Sequence, residues 1–300
     1  MVRKMSTLPV PGHSYESPLR RISSSKKCTS PLCLSLLYLS CALVTVSYVQ
    51  LYAIYKYMRE QLGVGFITWL PILSVVVAIP LFTYAIIRKS KSDPGAIRWG
   101  LVLFGAALAV IALFIPEPSL GAKRIHVTEY FLLSLLVRFT LSRNHSGGYL
   151  LFASCFFTIM CGVHDEFLQG LHPQRTYGLR DITVNAVSAI AGSCVWHGLH
   201  LFSTSYTQDS NRRENLLLPV CYYIWLLFAV ILTITPISAF RLQILPLWIF
   251  LPLSASIVFY SSCYSYLNLE LRHGIAAISW TTFLLLIYPV MTNVFQVSFY

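Results

Sequence analysis

Long apolar runs alternate with short polar joints along the chain. Nine runs can be drawn, at roughly 32–55, 64–87, 99–115, 125–141, 149–170, 181–202, 216–235, 244–267 and 274–294. A helical bilayer crossing needs about 20 apolar residues, and the third and fourth runs are short by that measure. The pattern predicts an all-α, polytopic helical membrane protein with about nine transmembrane helices. The number is eight if the run holding Pro246 and Pro252 is not a crossing of its own. Pro71 and Pro80 also fall within a run and predict kinks, which neighbouring helices accommodate by satisfying the freed carbonyls. The first run is too long for the apolar region of a leader and is not followed by a small-residue cleavage site, so it reads as an uncleaved span.

Composition agrees with a bilayer. Of 300 residues, 56% are hydrophobic and 11% charged, with a mean hydropathy of +0.66, whereas a soluble protein carries roughly 25% charged residues. The net charge of +11 does not indicate nucleic acid, because the basic residues are spread over short joints between apolar runs. With the N-terminus inside, the inner joints hold 15 Lys and Arg and the outer joints 7. That bias predicts a cytoplasmic N-terminus in a plasma (inner) membrane. One true basic cluster exists, in the arm of residues 1–31 (Arg3, Lys4, Arg20, Arg21, Lys26, Lys27), and it reads as a solvated tail near anionic lipid. The eight cysteines contain no C-x-x-C pair and read as small apolar residues.

Against this background a polar segment stands out, from His164 to Asn185, between the fifth and sixth runs. A second polar fragment, Lys123 to Tyr130, opens the fourth run. Ionisable groups in membrane spans are costly and are functional suspects by default. An even number of crossings separates the two joints, so both lie on one face, the outer one in the orientation above. His126 and Glu129 are three apart, Glu166 and Gln169 likewise, while Asp165 and Gln169, and Asp181 and Asn185, are four apart. Each of these pairs shares a helix face. Three helices can therefore turn polar faces to one pocket just beneath the surface. Ser188, Ala189, Gly192 and Ser193 continue the Asn185 face with small residues, which permit close helix packing.

Lys123, Arg124, Arg175 and Arg180 face Glu129, Asp165, Glu166 and Asp181 in near balance of charge. Asp165 and Glu166, being adjacent, diverge by about 100° on a helix. One shares the pocket with Gln169, and the other is expected to meet Arg175 or Arg180. His126 with Glu129 suits general acid/base work, and the arginines suit an anion through their bidentate fork. Asp181 also suits a helix N-cap or first-turn anion. No tight metal motif accompanies His126, Glu129, Asp165 and Asp181, so neither metal nor cofactor is expected. His197 and His200, at the opposite end of the sixth run, read as interfacial residues. No G-x-S-x-G or Gly-rich phosphate loop is present.

The ordered fragments resemble the VanZ-like family: H-V-T-E-Y-F-L-L at 126–133, D-E-F-L-Q at 165–169, Pro173 and Arg175 in the turn, and D-I-T-V-N at 181–185 followed by Gly192. The resemblance covers roughly residues 97–202. It departs from the pattern at Ala122, where an acid often precedes the lysine. It implies a four-helix core at 97–202, flanked by two N-terminal spans in 32–96 and about three in 203–300, and a link to glycopeptide (teicoplanin) resistance in the cell envelope.

Three readings follow. In the first, His126, Glu129, Asp165, Glu166, Gln169, Asp181 and Asn185 form a chemical pocket, and Lys123, Arg175 and Arg180 bind a lipid-phosphate or other amphiphilic anionic ligand. In the second, the carboxylates carry protons in a transporter or flippase. In the third, the polar groups only fix helix packing. The bilayer is the expected partner, and the composition fixes no oligomeric state.

Overall fold

A computed structural model describes residues 30–92, 97–117, 123–202, 217–264 and 269–300; the basic arm, including its Arg and Lys cluster, lies outside the described residues. The described chain is all-α. Its helices are α1 (Pro31–Ser92), α2 (Trp99–Phe114), α3 (Ile125–Leu141), α4 (Gly147–Gly170), α5 (Leu179–Gly198), α6 (Leu217–Ile237), α7 (Leu251–Tyr264), α8 (Leu269–Phe283) and α9 (Ile287–Val294). No strand forms among the described residues, only an isolated bridge between Gln243 and Phe299.

These helices do not correspond one to one with the apolar runs. The first two runs are both in α1, which breaks at Gly63, where φ is 81° and ψ 163°. That backbone conformation is open to glycine and strained for residues with a Cβ. The first arm runs antiparallel to α3: Cys41 meets Thr140 at 3.6 Å, and the Tyr48 hydroxyl donates to the Glu129 carbonyl at 3.1 Å. The second arm returns to the other end of the bundle, where Phe82 meets Trp196 edge-on with ring centres 5.9 Å apart. The eighth run begins in a short 3₁₀ turn, Leu247–Phe250, placed by Pro246 ahead of α7. The ninth is shared by α8 and α9.

Five described segments are long and apolar enough to cross a membrane: Pro31–Gly63, Gly147–Gly170, Cys221–Phe240, Leu247–Tyr264 and His273–Val294. The helix Trp99–Phe114 is apolar but shorter. α3, with 17 residues, is too short to be among the five, and α5 is not among them because it carries Arg180, Asp181, Asn185 and His197. Leu103, Phe114, Phe152, Ile224, Val258 and Trp280 are exposed on the outer surfaces of their helices, as the side chains of a lipid-facing surface are.

The centre of the molecule is α5, gripped by α2, α3 and α4. Glycines set two of these contacts. A Cβ on Gly105 of α2 would lie 2.6 Å from the Ala191 carbonyl oxygen, and one on Gly192 of α5 would lie 2.6 Å from the Phe131 carbonyl oxygen. Such backbone approach replaces the hydrophobic drive that lipid does not supply. Trp196 closes the α3–α5 seam, its indole N–H donating to the Phe131 carbonyl at 3.2 Å and to Ser134 Oγ at 3.0 Å. The C-terminal helices join through α8 on α4. His164 ties them: Nε2 lies 2.6 Å from the Thr281 carbonyl, which only an N–H can approach in this way, leaving Nδ1 to accept from the Tyr288 hydroxyl at 2.8 Å.

Candidate functional site

α1, α3, α4 and α5 bring one end of the bundle together around a buried group of acids. His126 and Glu129 occupy the first turns of α3, both buried, with Nδ1 and Oε2 2.9 Å apart. One turn on, Tyr130 is fully buried and its hydroxyl donates to Asp165 Oδ2 on α4 at 2.9 Å. Gln169, one turn along α4, donates through Nε2 to the same Oδ2 at 3.0 Å. Its Oε1 in turn accepts from the Arg175 guanidinium, which lies over the Tyr52 ring of α1 at 4.8 Å. A chain of contacts thus runs from Tyr130 through Asp165 and Gln169 to Arg175 at the rim.

Glu166 is fully buried and accepts the Gly178 N–H at Oε2, 3.1 Å away. The elbow between α4 and α5 is itself held: Tyr177, buried, donates its hydroxyl to the Ile234 carbonyl at 2.7 Å, and its own carbonyl accepts from Arg241 at 2.7 Å. Burial pushes the Tyr177 phenol up from its ordinary value, which keeps it a donor. Tyr300 completes the elbow, donating its N–H to the Gly170 carbonyl at 2.7 Å and accepting from Tyr177 N–H at 2.9 Å.

On α5, Asp181 meets Lys123 Nζ at 2.5 Å. Asn185, one turn below, donates to the Gly162 carbonyl of α4 at 3.5 Å and is fully buried. His126, Glu129, Asp165, Glu166 and Asp181 lie close enough to act on one another electrostatically.

Several sequence expectations are met in position: His126 lies against Glu129, Gln169 lies against Asp165, and α3, α4 and α5 turn polar residues to the same end of the bundle. Others change. Neither Arg175 nor Arg180 meets Glu166; a backbone N–H does. Arg180 turns outward to Glu117 at 2.8 Å, both half exposed, because Asp181 occupies the inward direction and its neighbour diverges by about 100°. Lys123 is engaged by Asp181. Arg124 donates to the Leu113 carbonyl at 3.2 Å, closing the end of α2. Asp181 is the first-turn anion of α5 rather than its N-cap, a position that Gly178 holds without a side-chain bond. Among the described residues no three His, Cys, Asp or Glu side chains are arranged to hold a metal ion, and the described cysteines are free.

Sequence reasoning missed Tyr48, Tyr130 and Gly178. Tyr130 stood in the quoted fragment, one residue after Glu129, but a tyrosine in an apolar run carries no signal of its own. It also missed a second polar cluster at the other end of α5. His197 is buried there and not interfacial: Arg138 of α3 approaches its Nδ1 at 3.3 Å and Arg98 its Nε2 at 3.4 Å. Arg138, fully buried, also donates Nε to the Leu201 carbonyl at 2.8 Å. His200 and Phe202 on either side of that carbonyl have φ of 52° and 58°.

Beside Arg175, near the Gly63 break, a cavity of about 340 Å³ is lined by Tyr52, Tyr55, Lys56, Arg59, Glu60 and Gly63. The chain matches no protein-family model, no curated protein and no solved structure.

Proposed function

We propose that the protein is a nine-span membrane protein of the cell envelope, N-terminus inside, whose outer-face pocket binds and modifies the headgroup of an amphiphile. One observation carries this reading. Asp165 Oδ1, Glu166 Oε1, Asp181 Oδ1 and Asn185 Oδ1 are buried and have no hydrogen-bond partner among the described residues. Each buried orphan costs about 1–3 kcal/mol, and donors from a molecule bound at this end of α4 and α5 would offset that cost.

The resemblance to the VanZ-like family supports the same reading, and with it a part in glycopeptide resistance. The fragments that carry the resemblance, at 126–133, 165–169, 175 and 181–185, are the ones that meet in the pocket. Glu129 or Asp165 serves as base and His126 as its acid/base partner. The anionic part of the amphiphile lies at the rim, where Lys56 and Arg59, with Glu60 between them and Gly63, line a cavity whose Tyr52 ring carries Arg175. A proton-carrying transporter is less well supported. Between Asn185 and His197 the buried polar positions of α5 are Ser188 and Ser193, and Ser188 donates to its own helix at the Val184 carbonyl, 2.7 Å away.

The test replaces Glu129, Asp165 and Asn185 singly with Gln, Asn and Leu, and measures folded yield in membranes beside copurified lipid and the envelope phenotype. Normal yield with loss of bound lipid and phenotype is expected. Collapse of yield in all three would favour the packing role.

A further inference from the structure

We infer that the end of α5 opposite the pocket is a second site, which binds the phosphate of a net-anionic lipid headgroup between Arg98 and His197. It does not depend on the pocket reading above.

The first observation is an imidazole approached by too many donors. Arg138 Nη1 lies 3.3 Å from Nδ1 of His197, and Arg98 Nη1 lies 3.4 Å from its Nε2. A neutral imidazole has one accepting nitrogen, a charged one has none, and a guanidinium never accepts. At least one ring N–H is therefore turned to a guanidinium N–H. Arg138 is fully buried and Arg98 exposed, so the lone pair at Nδ1 serves the arginine that water does not reach. Nε2–H and Arg98 are left as two donors facing each other. One oxygen seated beside them accepts from both and removes the conflict.

The second observation is another donor at the same end. Arg143 Nε is buried and has no hydrogen-bond partner among the described residues, while its guanidinium lies over the Phe139 ring at 4.2 Å. Phe139 meets Phe202 with ring centres 4.9 Å apart, next to the Leu201 carbonyl that Arg138 holds. The third is the distribution of charge. Among the described side chains the carboxyls are Glu60, Glu117, Glu129, Asp165, Glu166 and Asp181, and all lie at the pocket end. Arg98, Arg138 and Arg143 lie at the other. Ile86 packs there against Ile97 and Leu199, so the exposed Arg88 and Lys91 just beyond it belong to that end too. Carbonyls of the α5 terminus balance part of this charge. Gly198 accepts the Arg98 N–H at 2.9 Å and Leu201 accepts Arg138 Nε at 2.8 Å. The Arg98 guanidinium itself has His197 as its contact among the described residues.

A lipid phosphate answers these three observations together. Guanidinium donors suit phosphate oxygens, and basic positions between helices at a membrane face bind anionic headgroups. Trp99 and Leu103 follow Arg98 along α2 and are exposed, so an apolar surface for acyl chains begins where the anion is held. A headgroup amine would meet cations here and no carboxyl among the described side chains, so a net-anionic headgroup is preferred to a zwitterionic one.

The experiment loads the purified full chain in detergent with phosphatidylglycerol or with phosphatidylethanolamine of the same acyl chains and counts retained lipid by native mass spectrometry. Preference for phosphatidylglycerol of about tenfold or more is expected, the order of one charge-assisted hydrogen bond. Arg98→Gln keeps the backbone bond to Gly198 and is expected to lose one phosphatidylglycerol. Arg88→Gln removes the same charge from the same end, outside the described contacts of His197, and retains that lipid. Retention by Arg98→Gln, or equal loss in both variants, overturns the site, the latter leaving only diffuse attraction. Arg59→Gln reports separately on the pocket rim. If it removes the same lipid as Arg98→Gln, there is no second site. Displacement by inorganic phosphate, at matched ionic strength, overturns the lipid in favour of a soluble phosphate. Equal retention of the two lipids by wild type overturns the selection for net negative charge.

Discussion

Tyr130→Phe isolates one bond at the heart of the pocket. The substitution removes the hydroxyl that donates to Asp165 Oδ2 at 2.9 Å and leaves the ring. The ring's edge-on contact with Tyr48, at 5.8 Å between centres, persists, so packing is held constant. What is lost is a buried hydrogen bond to a carboxylate whose other oxygen already lacks a partner among the described residues. Gln169 alone then serves the side chain. Hydrogen bonds to charged groups contribute about 1.5–3 kcal/mol, so a loss of about 2 kcal/mol is expected, roughly a thirtyfold change in the folding equilibrium. The assay is equilibrium unfolding in mixed micelles followed by tryptophan emission, with Asp165→Asn completing a double-mutant cycle. Direct contact requires a coupling of about 1 kcal/mol or more. A loss under about 0.5 kcal/mol, with the two substitutions additive, would refute the assignment of Tyr130 as a partner of the Asp165 carboxylate.

Other substitutions test other parts of the reasoning. Gly192→Ala sets a methyl against the Phe131 carbonyl at 2.6 Å; because that neighbour is backbone, α3 and α5 must part, at about 1–3 kcal/mol, and the Trp196 emission should shift as its two bonds break. Arg180→Gln or Glu117→Gln should change stability by no more than about 0.5 kcal/mol, since the pair is half exposed; a larger loss measured by the same unfolding assay would contradict its place at the surface. His145, in the joint between α3 and α4, is held down to about 4 by burial and by the neighbouring His273. It is neutral when folded and takes up a proton more readily when unfolded, so its contribution is complete above about pH 6.5 and is lost as pH falls toward 4. Melting of wild type across that window should show an acid loss of up to about 3 kcal/mol that His145→Gln flattens.

Hydropathy read the rods well because lipid-facing helices are apolar wherever they are not packed. The run at 125–141 is α3 to the residue, and that at 99–115 exceeds α2 by one. Helix periodicity read the short-range pairs for the same reason: residues three and four apart on one helix must be neighbours, as His126 with Glu129 and Asp165 with Gln169 are. Contacts between helices were less legible. Nothing in the spacing says that Tyr130 rather than Glu129 meets Asp165, or that Glu166 finds the Gly178 N–H, because those depend on the register of α3 and α5 against α4. The same holds for Arg138 and His197. His197, read as an interfacial residue in sequence, is drawn inside where α2 and α5 pack close at Gly198. Even the count of crossings suffers from this coupling, since a helix that stores its polar residues on an inward face looks too polar to span.

The Arg98–His197–Arg138 cluster has a consequence for how the chain is made. Arg138 is synthesised with α3, but its described partners, His197 and the Leu201 carbonyl, follow 59 and 63 residues later. At about 5–20 residues per second the interval is several seconds. Throughout it, these two contacts are missing from a guanidinium destined for a buried site. The final seating of α3 therefore depends on α5, and the three helices α3, α4 and α5 reach their packed arrangement together rather than in order of synthesis.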